Sequence, residues 1–371
     1  MNRLVLIGNG FDCAHGLRTK YEHFISWYMG DLGKRLMHGE DKEVSDALCS
    51  FVLKDNINLC CWGYVWGHHY VRNNPFIPWN PCEEVFRVMN DREVCNYTMS
   101  PFLQKILKSI STKRWVDIER EYYSLLFDEK LSMNKGYIFP DYKSINLQLD
   151  YLRTKLVEYL KGLNNIKTPF FSEIQEKIFA PILRKEIALS SPTFYNYKTV
   201  EQNLPSSIML LNFNYTKTLE HYILNRDNVS INYIHGTLDA PESVIFGYGD
   251  EVDAGFKKLQ DMENNECLRH MKSIHYLESN NYRRMLEFIE SAPFQVVIMG
   301  HSCGNSDRTL LNTIFEHRNC VSIKPYYYIK DDGTDNYLDL TMNISRNFTD
   351  MKLMRDRVVN KTYCEPLTRN H

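Results

Sequence analysis

Residues able to do chemistry occur in four short clusters that lie far apart in the sequence. The first is Gly8-Asn9-Gly10-Phe11-Asp12, and the second contains Asn214. The third is His235-Gly236, and the fourth is Gly300-His301-Ser302 with Asp307 downstream. Glycines at such a turn let backbone N–H groups approach a phosphate. An asparagine amide can orient a water or a sugar hydroxyl, and a histidine can act as a general base.

Each cluster also has a purely structural interpretation. The glycines of the first cluster are typical of a tight turn from a strand into a helix that binds nothing. His235 could serve only as a hydrogen-bonding side chain. Asn214 could cap the helix that follows it, and Asp307 or Ser302 could cap the next one. No single cluster decides between the two interpretations.

What joins the clusters is that each comes directly after an apolar run that predicts a strand. Because the carboxyl ends of parallel strands lie at one edge of a sheet, the clusters should converge there, around a crevice where the strand order reverses. The predicted strands before the clusters are Arg3–Ile7, Ile208–Leu211, Val229–Ile234 and Val296–Met299. Two further runs, Val244–Phe246 and Val321–Ile329, also predict strands.

Segments with helical period alternate with these strands, at Lys217–Asn225, within Asp253–Ser291 and at Asp307–Arg318. Such alternation predicts an α/β fold with a doubly wound, mostly parallel, Rossmann-like sheet. Residues 36–200 differ in texture, and their clearest helical repeat is Leu149, Leu152, Leu156, Leu160 and Leu163. We therefore predict a mainly helical, aromatic-rich insertion at 36–200 in a discontinuous sheet domain formed by 1–35 and 201–371.

The charge balance excludes one class of function. Lys plus Arg number 44 and Asp plus Glu number 46, so the formal net charge is −2. The chain therefore lacks the broad basic field that holds nucleic acid strongly. No apolar run approaches the roughly 20 residues of a membrane span. The apolar stretch at the N-terminus is too short for a signal peptide, so we expect a cytoplasmic protein that binds no membrane.

The 10 cysteines include no CxxC pair, so a zinc site built from such pairs is not expected. Cys13 and Cys303 are interpreted as packed thiols rather than nucleophiles. Four residues of metal-ligand type lie close in sequence, but we favour reduced thiols and no metal because their spacing fits no standard site: Cys60, Cys61, His68 and His69.

The first glycine turn departs from the fingerprint of dinucleotide-binding dehydrogenases. Cys13 stands where the third glycine of G-x-G-x-x-G would be. No strand ends in an acidic residue about 20 residues further on, where a ribose ligand would be expected. Both departures count against a hydride-transfer enzyme.

The clusters and several other motifs resemble the AbiH family of phage abortive-infection proteins. The opening signature is Leu6-Ile7-Gly8-Asn9-Gly10-Phe11-Asp12, then Ala14-His15-Gly16-Leu17 and Thr19-x-Tyr21-x-x-Phe24. Further matches follow in order, at Trp115-Val116-Asp117-Ile118-Glu119, Asn212-Phe213-Asn214-Tyr215-Thr216, Ile234-His235-Gly236 and Met299-Gly300-His301-Ser302 with Asp307. The resemblance spans residues 1–330 and implies a role in defence against phage.

The same clusters are similar, more distantly, to sirtuin-like NAD-binding domains. Gly8-Asn9-Gly10 and Gly16-Leu17 resemble the opening glycine loop of those domains. Phe213-Asn214-Tyr215-Thr216 resembles the motif that carries their catalytic Asn, and His235-Gly236 resembles the site of their catalytic His. Gly300-His301-Ser302 corresponds to their late Gly-x-Ser loop.

Three departures limit what the sirtuin-like resemblance implies. Thr216 replaces the usual Asp, and Arg18 stands in place of a Pro. The zinc-binding cysteines of protein-deacylating sirtuins are absent. The resemblance therefore implies NAD cleavage rather than protein deacylation.

The resemblance also implies roles for individual residues, with NAD as substrate or ligand and without a metal. Asn214 would orient the nicotinamide ribose or an attacking water, and His235 would be the general base. The residues that would contact the dinucleotide are Gly8, Asn9, Gly10, Phe11, Asp12, Gly300, Ser302 and Asp307.

The leading hypothesis is a phage-defence effector that hydrolyses NAD at the nicotinamide glycosidic bond. A second hypothesis is a non-catalytic sensor that binds a small-molecule nucleotide and responds to a phage or host protein. A third is a nuclease, for which Asp117 and Glu119 near Trp115 are the carboxylates to consider. The sequence leaves the formation of a homo-oligomer open.

Overall fold

The computed structural model describes residues 1–38, 42–54, 95–113, 115–128, 141–163, 166–196, 202–223 and 226–368. The alternative metal ligands named above lie outside the described residues: Cys60, Cys61, His68 and His69.

The described chain forms two compact units, Met1–Thr19 with Leu160–His371, and Lys20–Tyr159. The first unit contains every residue of the four clusters. The division that the sequence predicts, at residues 36 and 200, stays a prediction.

The described strands, in chain order, are β1 (Asn2–Ile7), β2 (Glu43–Ser45), β3 (Cys49–Leu53), β4 (Cys95–Met99), β5 (Ile182–Leu183), β6 (Gln202–Asn203), β7 (Ile208–Asn212), β8 (Val229–Tyr233), β9 (Phe294–Met299) and β10 (Cys320–Tyr326). The described α-helices are α1 (Asn9–Ala14), α2 (Tyr21–His38), α3 (Pro101–Lys113), α4 (Ile118–Leu125), α5 (Tyr142–Leu163), α6 (Ser172–Phe179), α7 (Pro192–Asn196), α8 (Ala254–Asp261), α9 (Asn265–Leu268), α10 (Lys272–His275), α11 (Asn281–Ser291), α12 (Arg308–Phe315), α13 (Tyr337–Arg346) and α14 (Met351–Arg357).

A five-stranded sheet with the order β10-β9-β1-β7-β8 forms the centre of the first unit. Every neighbouring pair in it is parallel. The chain builds outward from β1 through β7 to β8, then returns to the other side of β1 to add β9 and β10. The strand order therefore reverses between β1 and β9. The predicted α/β fold with a parallel sheet is confirmed.

Both faces of this sheet are covered, as expected for its three central strands, which are buried at every position. Leu4 and Leu6 of β1 pack in a core with the apolar sides of α11, α12, α13 and α14. Val5 and Ile7 of the same strand pack in a second core that includes α6. Successive side chains of one strand point to opposite faces, so a continuous apolar run serves two cores.

Five predicted strands, β1, β7, β8, β9 and β10, are present with ends shifted by a few residues. The sixth prediction, a strand at Val244–Phe246, is wrong. Val244 and Phe246 are buried, and the Ile245 N–H donates a hydrogen bond to His235 O, 2.9 Å away. The segment nevertheless does not pair with a neighbouring strand of the described structure. The apolar run marks burial, not strand pairing.

Of the predicted helices, one is present as an α-helix and another has a different helix type. The predicted leucine repeat lies on α5, where Leu149 and Leu152 are fully buried. The predicted helix at Lys217–Asn225 is instead a short 3₁₀-helix, Thr218–Tyr222, in its described part.

The second unit adds an antiparallel sheet, β2-β3-β4, that the sequence did not predict. Nowhere in the described ranges is there a helix long and apolar enough to cross a membrane.

Candidate functional site

The turn after β1 and the turn after β9 are in direct contact at the point where the strand order reverses. The N–H of Gly8 donates to Met299 O at 3.2 Å, and the N–H of Gly10 donates to Gly300 O at 2.8 Å. A Cβ on Gly8 would lie 2.4 Å from His301 Cα, and Gly300 has a φ of +74°. The glycines are therefore needed for two backbones to touch.

This contact occupies donors that the sequence suggested for a phosphate. The N–H of Phe11 donates to Gly8 O at 2.8 Å, in addition to the two bonds above. The Phe11 ring is buried and packs against His15 and Tyr222. Asn9 and Gly10 are exposed, and Asn9 Oδ1 accepts a hydrogen bond from the Thr19 hydroxyl.

Asn214 connects the end of β7 to the first glycine turn. Its Nδ2 donates to Gly8 O at 3.0 Å, while its own N–H donates to Asn212 Oδ1 at 3.1 Å. The side chain is buried. Lys217 holds the N-cap position of the following 3₁₀-helix, so Asn214 is not the cap of that helix.

Asp12 is a buried carboxylate whose side chain interacts with that of Asn214. Its Oδ2 accepts a hydrogen bond from Thr216 Oγ1 at 2.7 Å, whereas its buried Oδ1 has no hydrogen-bond partner among the described residues. Burial raises the pKa of Asp12 to about 6, even though Thr216, Thr218 and Asn214 favour the ionised form. Asp12 therefore has one buried oxygen whose hydrogen-bonding capacity the described residues do not use.

His235 follows β8 and is also buried. Its Nε2 lies 3.3 Å from Asp307 Oδ1 and 3.3 Å from the Tyr276 hydroxyl. Burial and the nearby Lys272 ammonium lower the pKa of His235, while Asp307 acts in the opposite direction. The imidazole is therefore neutral near pH 7.

Asp307 joins the end of β8 to the turn after β9. Its Oδ1 accepts a hydrogen bond from Lys272 Nζ at 2.8 Å, and its Oδ2 lies 3.6 Å from His301 Nε2. Burial favours the neutral acid, but Lys272, His235 and His301 hold the pKa of Asp307 well below its ordinary value. The side chain makes no capping bond to α12, so the capping interpretation does not apply.

His301 occupies the turn after β9. Its Nδ1 accepts a hydrogen bond from the Cys303 N–H at 3.0 Å, which assigns the ring proton to Nε2. The Phe213 ring contacts both histidines, with centroids 4.1 Å from His301 and 5.3 Å from His235. Burial raises the pKa of Cys303, so its thiol stays protonated and packs as the sequence suggested.

Four of the charged or titratable side chains at this edge form one group, which we name the edge cluster: His235, Lys272, His301 and Asp307. The sequence pointed to the strand-end members but not to Lys272 or Tyr276. The available signal was Gly247, whose missing Cβ lets its backbone lie against His270 O just before Lys272.

Two residues that the sequence analysis named lie outside the edge cluster. Ser302 has an exposed side chain, and its carbonyl accepts a hydrogen bond from Asn343 Nδ2 at 2.9 Å. Asp117 caps α4 by accepting from the Arg120 N–H at 3.0 Å. Across the parts of the chain that the structure describes, no group of three or more His, Cys, Asp or Glu side chains is arranged to hold a metal.

Comparison with known proteins gives one match. Residues 4–328 match the family described as Bacteriophage abortive infection AbiH. The chain belongs to the AbiH family. Every residue of the edge cluster, and the glycine turns beside it, fall inside the matched range. AbiH membership implies a role in abortive infection by bacteriophage. No curated protein matches the chain, and no solved structure does.

Proposed function

We propose that this AbiH protein acts in abortive infection by hydrolysing NAD at the nicotinamide glycosidic bond. The observation that supports this most directly is His235, a buried neutral imidazole held by an ionised Asp307 at the carboxyl edge of a doubly wound sheet. Ligand crevices in such sheets form where the strand order reverses. The sirtuin-like motifs described above supply the choice of NAD.

In the proposed reaction, water attacks C1′ of the nicotinamide ribose. The C1′–N bond breaks, its electron pair leaves with nicotinamide, and a new C1′–O bond forms. With the His235 proton on Nε2, 3.3 Å from Asp307 Oδ1, Nδ1 is the nitrogen that takes the proton from the water or from a ribose hydroxyl. Asp307 stabilises the resulting imidazolium. The products are ADP-ribose, nicotinamide and one proton.

Asp12 and Asn214 are proposed to hold the ribose. The unpartnered Oδ1 of Asp12 suits a sugar hydroxyl, or the positive charge that develops on an oxocarbenium-like ring. Asn214 is fixed by its bond to Gly8 O and can orient the same ribose or the attacking water. Holding the ribose in a water-poor pocket would supply much of the rate.

The glycine turns are proposed to shape the crevice for the dinucleotide. Because the N–H groups of Gly8, Gly10 and Phe11 already donate within the protein, we assign the diphosphate to polar groups around them. Asn9 and Ser302 have exposed side chains on the two turns and offer such groups. The same proposal includes a sirtuin-like domain with an insertion at 36–200, a cytoplasmic location and activation by a phage or host protein.

The test incubates the purified protein with NAD, with and without phage lysate as a source of the trigger. Release of nicotinamide is then measured by chromatography. We expect His235→Ala to lower the rate by about 10²–10⁴-fold, the usual contribution of a general base. His317→Ala is the matched control, since His317 contacts Glu290 at 3.2 Å outside the edge cluster. An active His235→Ala protein would remove the proposed base.

A nucleotide-binding sensor without turnover is the second candidate, favoured by the closed contact between the two glycine turns. It predicts that NAD or ADP-ribose raises the melting temperature while no nicotinamide is released. Strict dependence of any activity on a divalent metal would instead favour a nuclease.

A further inference from the structure

Lys272 is an unusual member of the edge cluster, because its side chain is 1% exposed and lies far from the carboxyl ends of the strands in sequence. Lys272 is the first residue of α10. Two residues earlier, the carbonyl of His270 accepts a hydrogen bond from the Tyr248 N–H. The Lys272 N–H donates to Tyr248 O at 3.0 Å. These bonds fix the backbone that presents the ammonium group to Asp307.

Lys272 and His235 share one oxygen of Asp307. The Lys272 Nζ to Oδ1 distance is 2.8 Å, and the His235 Nε2 to Oδ1 distance is 3.3 Å. His301 approaches the other oxygen from its Nε2, the nitrogen that carries its proton. A carboxylate surrounded by three such groups is held ionised, and an ionised carboxylate 3.3 Å from Nε2 favours the His235 proton on that nitrogen.

From this geometry we infer that Lys272 is a positioning residue: acting through Asp307, it fixes His235 as the Nε2–H tautomer and leaves Nδ1 free to accept a proton. The inference rests on the proposed function for its catalytic meaning, but the tautomer is a property of the protein alone. Lys272 also opposes protonation of His235 by direct charge repulsion. The other groups facing His235 are Asp307, His301 and the Tyr276 hydroxyl.

The test measures the tautomer and pKa of His235 by ¹⁵N NMR of histidine-labelled protein, with the His235→Gln protein used to assign the signal. In the wild type we expect the Nε2–H tautomer. In Lys272→Met we expect the His235 pKa to rise and the tautomer preference to weaken. Lys272→Arg keeps the charge and should restore the wild-type signal in large part.

Lys324→Met is the matched control, because Lys324 also forms a buried pair, 2.7 Å from Glu186 Oε1, but outside the edge cluster. It should leave the His235 signal unchanged. A wild-type Nδ1–H tautomer, or an unchanged His235 pKa in Lys272→Met, would overturn the inference. If Lys272→Met does not fold, the wild-type tautomer and the Lys272→Arg protein still decide the question.

Activity separates this inference from the proposed function. If nicotinamide is released, Lys272→Met should lower kcat about 10- to 100-fold with little change in KM, since a positioning residue contributes part of the effect of the base itself. The acidic limb of its pH–rate profile should move to higher pH, because the base protonates more easily. Expected NMR results without any NAD hydrolysis would leave the inference standing and reject the proposed function.

Discussion

Two buried polar clusters lie in the same parallel-sheet unit, and they are built on opposite principles. The edge cluster has one carboxylate, Asp307, contacted at 2.8, 3.3 and 3.6 Å by a lysine and two histidines. The other, which we name the strand cluster, consists of one residue from each of β1, β9 and β10 together with Glu186: Arg3, Glu186, Gln295 and Lys324.

In the strand cluster each polar group has a partner of its own. Arg3 Nη2 donates to Gln295 Oε1 at 2.9 Å, and Arg3 Nη1 donates to Ile178 O at 2.8 Å. Gln295 Nε2 donates to Glu186 Oε2 at 2.9 Å, while Lys324 donates to the other oxygen of Glu186 at 2.7 Å. Burial lowers the pKa of Arg3 only to about 10, so the guanidinium stays charged.

The difference teaches how to separate a structural cluster from a functional one. A fully paired network specifies a single packing and has no group left for a substrate. In the edge cluster several titratable groups compete for one carboxylate, so the protonation of His235 is adjustable by its neighbours. Nearby, Asp12 keeps an unpartnered buried oxygen, a feature absent from the strand cluster as described.

The largest effect is expected from Asp307→Asn. Removing the carboxylate breaks its buried ion pair with the Lys272 ammonium, and breaking such a pair from one side typically costs about 3–5 kcal/mol of stability. It also removes the group that orients His235, so NAD hydrolysis should fall by about 10²–10⁴-fold. Urea unfolding and nicotinamide release measure the two losses separately.

The double variant Asp307→Asn with Lys272→Met is the control for this prediction. Since it removes both charges, most of the stability should return while activity stays low. Recovery of activity together with stability would mean that Asp307 has only a structural role, and the contrast between the two clusters would fail.

The next largest effect is expected from Arg3→Met in the strand cluster. It leaves Gln295 Oε1 and Ile178 O buried without their donor, at about 1–3 kcal/mol for each unsatisfied group. Activity per folded molecule should be unchanged, because no member of the strand cluster contacts the edge cluster through a hydrogen bond in the described structure. A change in KM or in the pH–rate profile of folded Arg3→Met would contradict the comparison.

The sequence predicts the strands and the strand-end residues of the edge cluster, but not the strand cluster. The strands could be read from apolar runs such as Leu4–Ile7 because burial on both faces leaves a continuous signal. Val244–Phe246 gave the same signal without strand pairing, since burial alone produces it. The strand-end position of His235 was readable because chain direction puts all carboxyl ends of a parallel sheet at one edge.

Long-range pairing could not be read from the sequence. Lys272 lies in a polar stretch that resembles a solvated helix, and only the fold brings its Nζ to Asp307. The spacing of Gly8 and Gly10 predicted backbone N–H groups close to a phosphate, and in the structure these two N–H groups donate to Met299 O and Gly300 O. The sequence could not tell that the approaching group is the turn at Gly300, because a ligand and a second turn make the same demand for a missing Cβ.

A smaller effect, which depends on pH, is expected from Asp12→Asn. The pKa of Asp12 is raised from 3.8 to about 6 in the folded protein. Since its folded pKa lies above its unfolded value, the carboxyl costs no stability below about pH 4, and stability is lost as the pH rises through 6. At 1.36 kcal/mol per pKa unit the full loss is about 3 kcal/mol. Asp12→Asn cannot ionise, so it should unfold at higher urea concentration than the wild type at pH 8 and at a similar concentration at pH 4.

Asp12→Asn also tests whether this destabilised carboxylate binds a ligand. If Asp12 contacts the ribose, Asp12→Asn gains stability at pH 8 and loses NAD hydrolysis, which is the trade expected where a functional group is kept at a cost to the fold. Thr216→Val is the matched comparison, because it removes the Thr216 hydroxyl that donates to Asp12 Oδ2 and should raise the Asp12 pKa further. Equal urea midpoints for wild type and Asp12→Asn across pH 4 to 8 would show that Asp12 ionises in the folded protein as easily as in the unfolded chain. The contrast between the fully paired strand cluster and the edge cluster would then rest on Lys272 and Asp307 alone.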